Sequence, residues 1–200
     1  MRTSQTMVVV LVAGMFAAGC KDGAPTSANR AAASGKANAA DVTTPPLPIA
    51  SVPLTQRHQF TDDVAVQVRL KPSGRSRAVV NIDDASRMAV VKFTIQPGVR
   101  FPWHSHPGLV MVAVTQGDLV FVYGDDCVQR RYPAGTAFVD PGFGNVHYAF
   151  NPTGGELVIV ATFIGVPDAP AALTNPASPD EAAALDAKCG AAAATTTHSH

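Results

Sequence analysis

His104 and His106 stand two apart in the run Phe101-Pro102-Trp103-His104-Ser105-His106-Pro107. On an extended backbone, residues two apart project to the same face, so both imidazoles can converge on one point. Their nitrogens could then meet a single ion at about 2 Å each. A second pair with the same spacing, His198 and His200, ends the chain inside a Thr- and Ala-rich tail where disorder is expected. Spacing alone is therefore no site. A site on His104 and His106 needs a rigid frame of strands around it.

The sequence supplies such a frame between about residue 60 and residue 165. Val64–Leu70, Ala78–Ile82, Met88–Gln96, Val110–Gln116, Leu119–Tyr123, Val128–Tyr132, Thr136–Val139, Val146–Phe150 and Leu157–Phe163 are β-rich runs. Gly, Pro, Asn or Asp punctuate most of the gaps, and no helical periodicity intervenes. Short strands at this spacing predict an all-β sandwich or barrel. Several runs are apolar on both faces, as expected of strands buried in a small closed barrel.

Further along, Gly135 opens a second segment that runs through Asp140, Pro141, Gly144 and His147 to Asn151. Together the two segments resemble the paired motifs of the cupin superfamily. The first motif is matched by Gly98, His104, Ser105 and His106, with Gly117 at the expected distance; the second is matched by Gly135, Pro141, Gly144, His147 and Asn151. One extra residue lies between Pro141 and Gly144. The resemblance spans roughly residues 64–165 and implies a single jelly-roll β-barrel that holds a divalent metal ion. It implies His104, His106 and His147 as ligands, each needing an acceptor behind it to fix its tautomer. One position departs from the family. The glutamate ligand expected four residues after the second histidine is replaced by Val110, and the only glutamates, Glu156 and Glu181, lie beyond the second motif. Three imidazoles suit Fe, Zn, Ni, Cu or Mn without choosing among them. An ion held by neutral ligands keeps its full charge, which favours a small anionic or chelating molecule. The family includes enzymes of dioxygenase and isomerase type as well as binding proteins. An enzyme and a non-enzymatic binding or sensing module both remain open, as does a homodimer.

Around the motifs, Arg100, Trp103, Val110, Tyr123 and Tyr148 are candidates for a substrate pocket, and Phe101 and Phe121 could line it or simply pack. Asp140, before Pro141, reads as a turn residue rather than a base. Asn151 reads as a support for its strand, and His58 as a solvated residue. There is no nucleophile elbow, P-loop or dinucleotide fingerprint.

The two flanks say where the domain works. Arg2, an apolar stretch from Met7 to Ala18, then Gly19-Cys20 and Lys21-Asp22 read as a secretory signal over residues 1–19, since a spanning helix needs about 20 apolar residues. Ala17-Ala18-Gly19-Cys20 resembles the bacterial lipobox, which implies lipidation of Cys20; cleavage as an ordinary signal peptide is the alternative. Residues 20–60, rich in Ala, Ser, Thr and Pro, read as a flexible tether. The expected location is the periplasm or cell envelope, with the lipid anchor as the only membrane attachment. There Cys127 and Cys189 could form a disulfide or stay as free thiols. Residues 168–190 read as an extension with a short helix, opened by Ser178 as cap, Pro179 at the first turn and Glu181. Residues 191–200 read as a disordered tail. With 15 Lys plus Arg against 15 Asp plus Glu, the chain carries no net field, which argues against nucleic acid as a partner.

Overall fold

The structure, a computed structural model, describes residues 47–169 and 171–191. The signal segment, Cys20, the first part of the tether and the tail pair His198 and His200 lie outside them. The strands are β1 (Ile49–Pro53), β2 (His58–Gln59), β3 (Val66–Leu70), β4 (Ala78–Ile82), β5 (Arg87–Ile95), β6 (His104–Ser105), β7 (Leu109–Gln116), β8 (Asp118–Tyr123), β9 (Gln129–Pro133), β10 (Ala137–Asp140), β11 (His147–Phe150), β12 (Leu157–Ile164) and β13 (Asn175–Pro176). One helix, α1 (Pro179–Cys189), follows. The order β1-β5-β12-β7-β10 forms one antiparallel sheet, with β2 also on β5, and β13-β6-β11-β8-β9 forms the second. Strands β3 and β4 make a separate hairpin. Strand spacing predicted an all-β sandwich or barrel, and this is the jelly-roll that the resemblance implied.

Alternation along the strands sets the core. In β7, Val110, Val112 and Val114 are buried while Met111 and Ala113 face out. In β12, Leu157, Ile159, Ala161 and Phe163 point the same way. They meet Leu119, Phe121 and Tyr123 of β8 and Ala149 of β11 across the barrel. Each fully buried aliphatic or aromatic side chain contributes about 1.5–3 kcal/mol by leaving water.

Strand β8 is apolar on both faces for a reason the strand pattern did not contain. Its other face, Val120 and Val122, packs with Trp103 and Tyr148 under Ala182 and Leu185 of α1. The helix begins as its sequence implies: the Ser178 hydroxyl accepts from the Glu181 N–H, and Pro179 sits in the first turn. Three contacts dock it. Asp186 accepts from Trp103 Nε1 at 2.7 Å and from both terminal nitrogens of Arg100 at 2.8 and 3.2 Å. Lys188 donates to the carbonyls of Gly124 and Asp125. A disulfide joins Cys127 to Cys189, whose Cα atoms are 5.0 Å apart.

One boundary needs correction. The tether was expected to run to residue 60, yet Ile49–Pro53 pairs with β5 in register Ile49↔Ile95, and His58 and Gln59 pair with it further along. An edge strand tolerates Pro53 because its missing N–H need not serve a second neighbour. Ile49 packs against the main core, apolar burial that the Pro-rich composition concealed. His58 is exposed, as expected.

Helix α1 buries none of its own residues completely, so its attachment depends on these docking contacts. Native protein should show no alkylatable thiol at Cys127 or Cys189 without reductant. Replacing both by serine should lower unfolding stability by up to about 4 kcal/mol for a loop of this length. Asp186→Ala should cost a further 1–3 kcal/mol, roughly, by leaving Trp103 and Arg100 unpaired. Chemical denaturation of the purified chain measures both.

Candidate metal centre

The three histidines reach one point from two elements of the same sheet. His104 lies in β6 and His147 in β11, and the two are directly paired across the strands. His106 follows β6 by one residue and turns its ring to the same side. Ring centroids are 4.9 Å apart for His104 and His106, 4.4 Å for His104 and His147, and 5.2 Å for His106 and His147. One nitrogen from each can be chosen so that all lie within 4.8 Å of one another.

Each ring is pinned from behind by a backbone carbonyl. The Nδ1 of His104 is 2.7 Å from the Pro102 oxygen, that of His106 is 2.8 Å from the Leu173 oxygen, and that of His147 is 2.9 Å from the Asn145 oxygen. A carbonyl only accepts, so each Nδ1 carries the proton and each Nε2 keeps its lone pair. These are the tautomer-fixing acceptors that a histidine metal site needs.

Burial keeps the rings neutral. It pushes His106 down to about 4 and His147 down to about 3, and it lowers His104 as well. Neutral imidazoles are donors ready for a cation. The arrangement can hold a divalent ion, and the donor set fits that charge. Among the described residues, Asp140 Oδ2 is a buried oxygen without a hydrogen-bond partner, on the same cavity.

That cavity, about 230 Å³, lies between the two sheets. Its walls are mostly apolar: Phe93, Phe101, Phe121, Phe138, Val112 and Ile159 among others. Phe121 stacks on His147 with centroids 4.6 Å apart, so it packs and lines at once. A larger groove of about 670 Å³ runs past Arg75, Asn81 and Phe143 on the surface, and among the described residues no histidine borders it.

Of the five residues expected in a substrate pocket, only Val110 lines the cavity. Strand alternation turns Trp103 and Tyr148 to the opposite face, beneath α1, where their rings meet edge to face at 4.5 Å. Arg100 is committed to Asp186 and lies over the Tyr148 ring. Tyr123 faces the main core and is covered by the guanidinium groups of Arg75 and Arg130. Asn151 is wholly buried; its amide donates to the Ile95, Gln96 and Gly155 oxygens, a brace for the strand end.

Asp140 does more than turn the chain. Its Oδ1 accepts the Gly142 N–H at 3.2 Å, as a turn residue would, but the side chain is 1% exposed and borders the cavity. A carboxylate ending the apolar run Ala137-Phe138-Val139 was the available signal. The Leu173 carbonyl and Thr174, which reach the site from the C-terminal extension, had none, because one contributes only backbone.

The loop after Asp140 is fitted closely to the first histidine segment. Gly142 has φ +66°, and a Cβ there would fall 1.9 Å from the Gly108 oxygen. The Phe143 N–H donates to the His106 oxygen at 2.8 Å. The lengthened loop thus ties the two histidine segments together.

Residues 91–163 match the family model described as the cupin domain. No curated protein matches the chain. Among solved structures, a cupin domain from Bordetella pertussis is 22% identical over 55% of this chain and 97% of its own, with a TM-score of 0.35. A double-stranded β-helix protein from Klebsiella pneumoniae is 23% identical over 39% of this chain and 67% of its own, with a TM-score of 0.36. Oxalate decarboxylase from Bacillus subtilis is 28% identical over 38% of this chain, which spans 21% of that longer protein, with a TM-score of 0.34. The segment that matches the cupin-domain model contains all three histidines and most of the strands that hold them.

Proposed function

We propose that this chain is an exported, lipid-anchored cupin that holds a divalent metal on His104, His106 and His147 and binds a small molecule beside it. What supports this is the convergence of three neutral, carbonyl-pinned imidazoles on one buried cavity. Bound there, a divalent ion supplies Lewis-acid polarisation of a ligand oxygen, or redox chemistry when it is iron. The protein's own residues then set what can enter. The cavity of about 230 Å³ falls below the usual range for drug-sized ligands, so the ligand is small. Its phenylalanine and aliphatic walls favour an apolar body and exclude water. Among the described residues no Lys or Arg lines it, so the metal is the cation there for an anionic group to pair with.

The reaction class that fits is dioxygenase- or isomerase-like chemistry at the metal. A second reading, a binding or sensing module without turnover, draws on the sparse chemistry of the lining. Beyond the histidines, Asp140 is the one ionisable group there among the described residues, and the Thr174 hydroxyl lines the same cavity. Turnover of a candidate ligand by metal-loaded protein separates the two.

The Cys127–Cys189 bridge supports export, since such bonds persist in oxidising compartments. Cys20, placed after the apolar leader, is the proposed lipid attachment. The full chain expressed in a bacterial host should partition with membranes, and Cys20→Ser should remain unprocessed or be released. A wholly soluble mature protein with a free Cys20 thiol would overturn the anchor.

Elemental analysis and metal titration test the centre. His104→Ala, His106→Ala and His147→Ala should each weaken binding by more than the roughly 10–100-fold that loss of an outer supporting group costs. Removal of His198 and His200 should leave metal content unchanged. The pH profile distinguishes the two sets. A solvent-exposed chelating pair loses its metal as pH falls through about 6.5, where free imidazole protonates. The barrel histidines have folded pKa values below that, about 4 for His106 and about 3 for His147. Protons therefore compete for them only at lower pH, and metal should be retained at pH 5.5. Loss of the metal near pH 6.5, together with its loss on tail truncation, would place it outside the barrel.

A further inference from the structure

We infer that Asp140 is a ligand of the same metal centre, supplying through Oδ2 the carboxylate that Val110 does not. The inference rests on the metal-binding reading of the three histidines. Strands β10 and β7 pair in the register Asp140↔Val110. Residues directly opposite in an antiparallel pair share a face, with Cβ atoms about 4.5–5.5 Å apart. A carboxylate on β10 at this position therefore enters the same cavity as a side chain at Val110, and both residues line it. The acid has moved one strand sideways.

The contacts of the two oxygens differ. Oδ1 accepts the Gly142 N–H, and Oδ2 has no hydrogen-bond partner although the side chain is almost wholly buried. Oδ2 lies 3.7 Å from His106 Nε2, the nitrogen that the Leu173 carbonyl leaves free. The His147 nitrogen it approaches at 3.7 Å is Nδ1, which the Asn145 carbonyl holds, so Asp140 stands beside the three-histidine group rather than within the set of ligand atoms that lie within 4.8 Å of one another. Both separations are too long for a hydrogen bond, so Oδ2 is not there to hold either ring. Two donors each about 2.1 Å from one ion stand roughly 3.4–3.6 Å apart at tetrahedral to trigonal angles, close to the spacing from Oδ2 to His106 Nε2. A turn alone does not require this residue. Asparagine would accept the Gly142 N–H equally well, so the turn does not account for a carboxyl group whose second oxygen has no partner in an apolar cavity.

The consequence is a centre of three imidazoles and one carboxylate, with a net charge one lower than the histidines alone would leave. Purified full chain in detergent, stripped of metal, is titrated with Co2+ against a competing chelator for wild type, Asp140→Asn, Val110→Glu and the double variant. Asp140→Asn should weaken Co2+ binding by about tenfold or more and change the visible absorption of the bound ion. The thermal midpoint of its metal-free form should hold or rise, because a buried unpartnered carboxylate has been removed while the Oδ1 contact is kept. Adding Val110→Glu to Asp140→Asn should recover most of the lost affinity, since a carboxylate returns to the same cavity from the paired strand. Unchanged affinity and spectrum in Asp140→Asn would overturn the role of Asp140 while leaving the three-histidine centre standing. So would a metal-free midpoint that falls in step with affinity, which marks a structural residue. Failure of the wild type itself to bind Co2+ would remove the centre and this inference with it.

Discussion

Three hydrogen bonds from imidazole N–H groups to backbone carbonyls govern the rest of this structure. An unpinned histidine inside an apolar barrel would leave a polar N–H without a partner and its ring free to rotate. Here the Pro102, Asn145 and Leu173 carbonyls accept from those N–H groups, so the rings are fixed in tautomer and aimed at one point, while burial keeps them neutral. Two of the acceptors come from the residue two positions before the histidine they hold. The third comes from the C-terminal extension, which makes that segment part of the site rather than an appendage.

That dependence explains how the C-terminal segment is attached. Strand β13 lies beside β6, and α1 covers the outer face of β8. The helix has no completely buried residue of its own, so packing alone holds it weakly. The Asp186 contacts to Arg100 and Trp103, the Lys188 contacts and the disulfide fasten it at several points. The Arg100 guanidinium beside Asp186 also holds that carboxyl below its ordinary range, so the clamp stays charged at neutral pH. Arg100 and Trp103, which sit within the first histidine segment, thus serve the scaffold around the cavity and not its contents.

A cavity like this one is a compromise between stability and use. A core of Phe, Val and Ile would fold more readily without three imidazoles and a carboxylate in it. The polar groups sit at one end of an apolar space, which is where selection for binding would keep them. Close backbone packing around Gly108 and Gly142 keeps this end rigid, so small changes in ring position are resisted.

Much of this was legible in the residues themselves. β-rich composition and the turn residues between runs located the nine main strands, because both are local preferences of the side chains themselves. The spacing of His104 and His106 allowed two ligands, and the resemblance of the two segments to the cupin motifs implied His147 as the third. The Ser178 cap and the pairing partners Cys127 and Cys189 were readable as types. The tertiary structure decided what depends on contacts between distant residues. It turned Trp103 and Tyr148 away from the cavity, brought Leu173 behind His106, drew Ile49–Pro53 into the sheet and set Asp140 opposite Val110. Register across strands and carbonyl positions leave no mark on side-chain order, since every residue carries the same backbone groups.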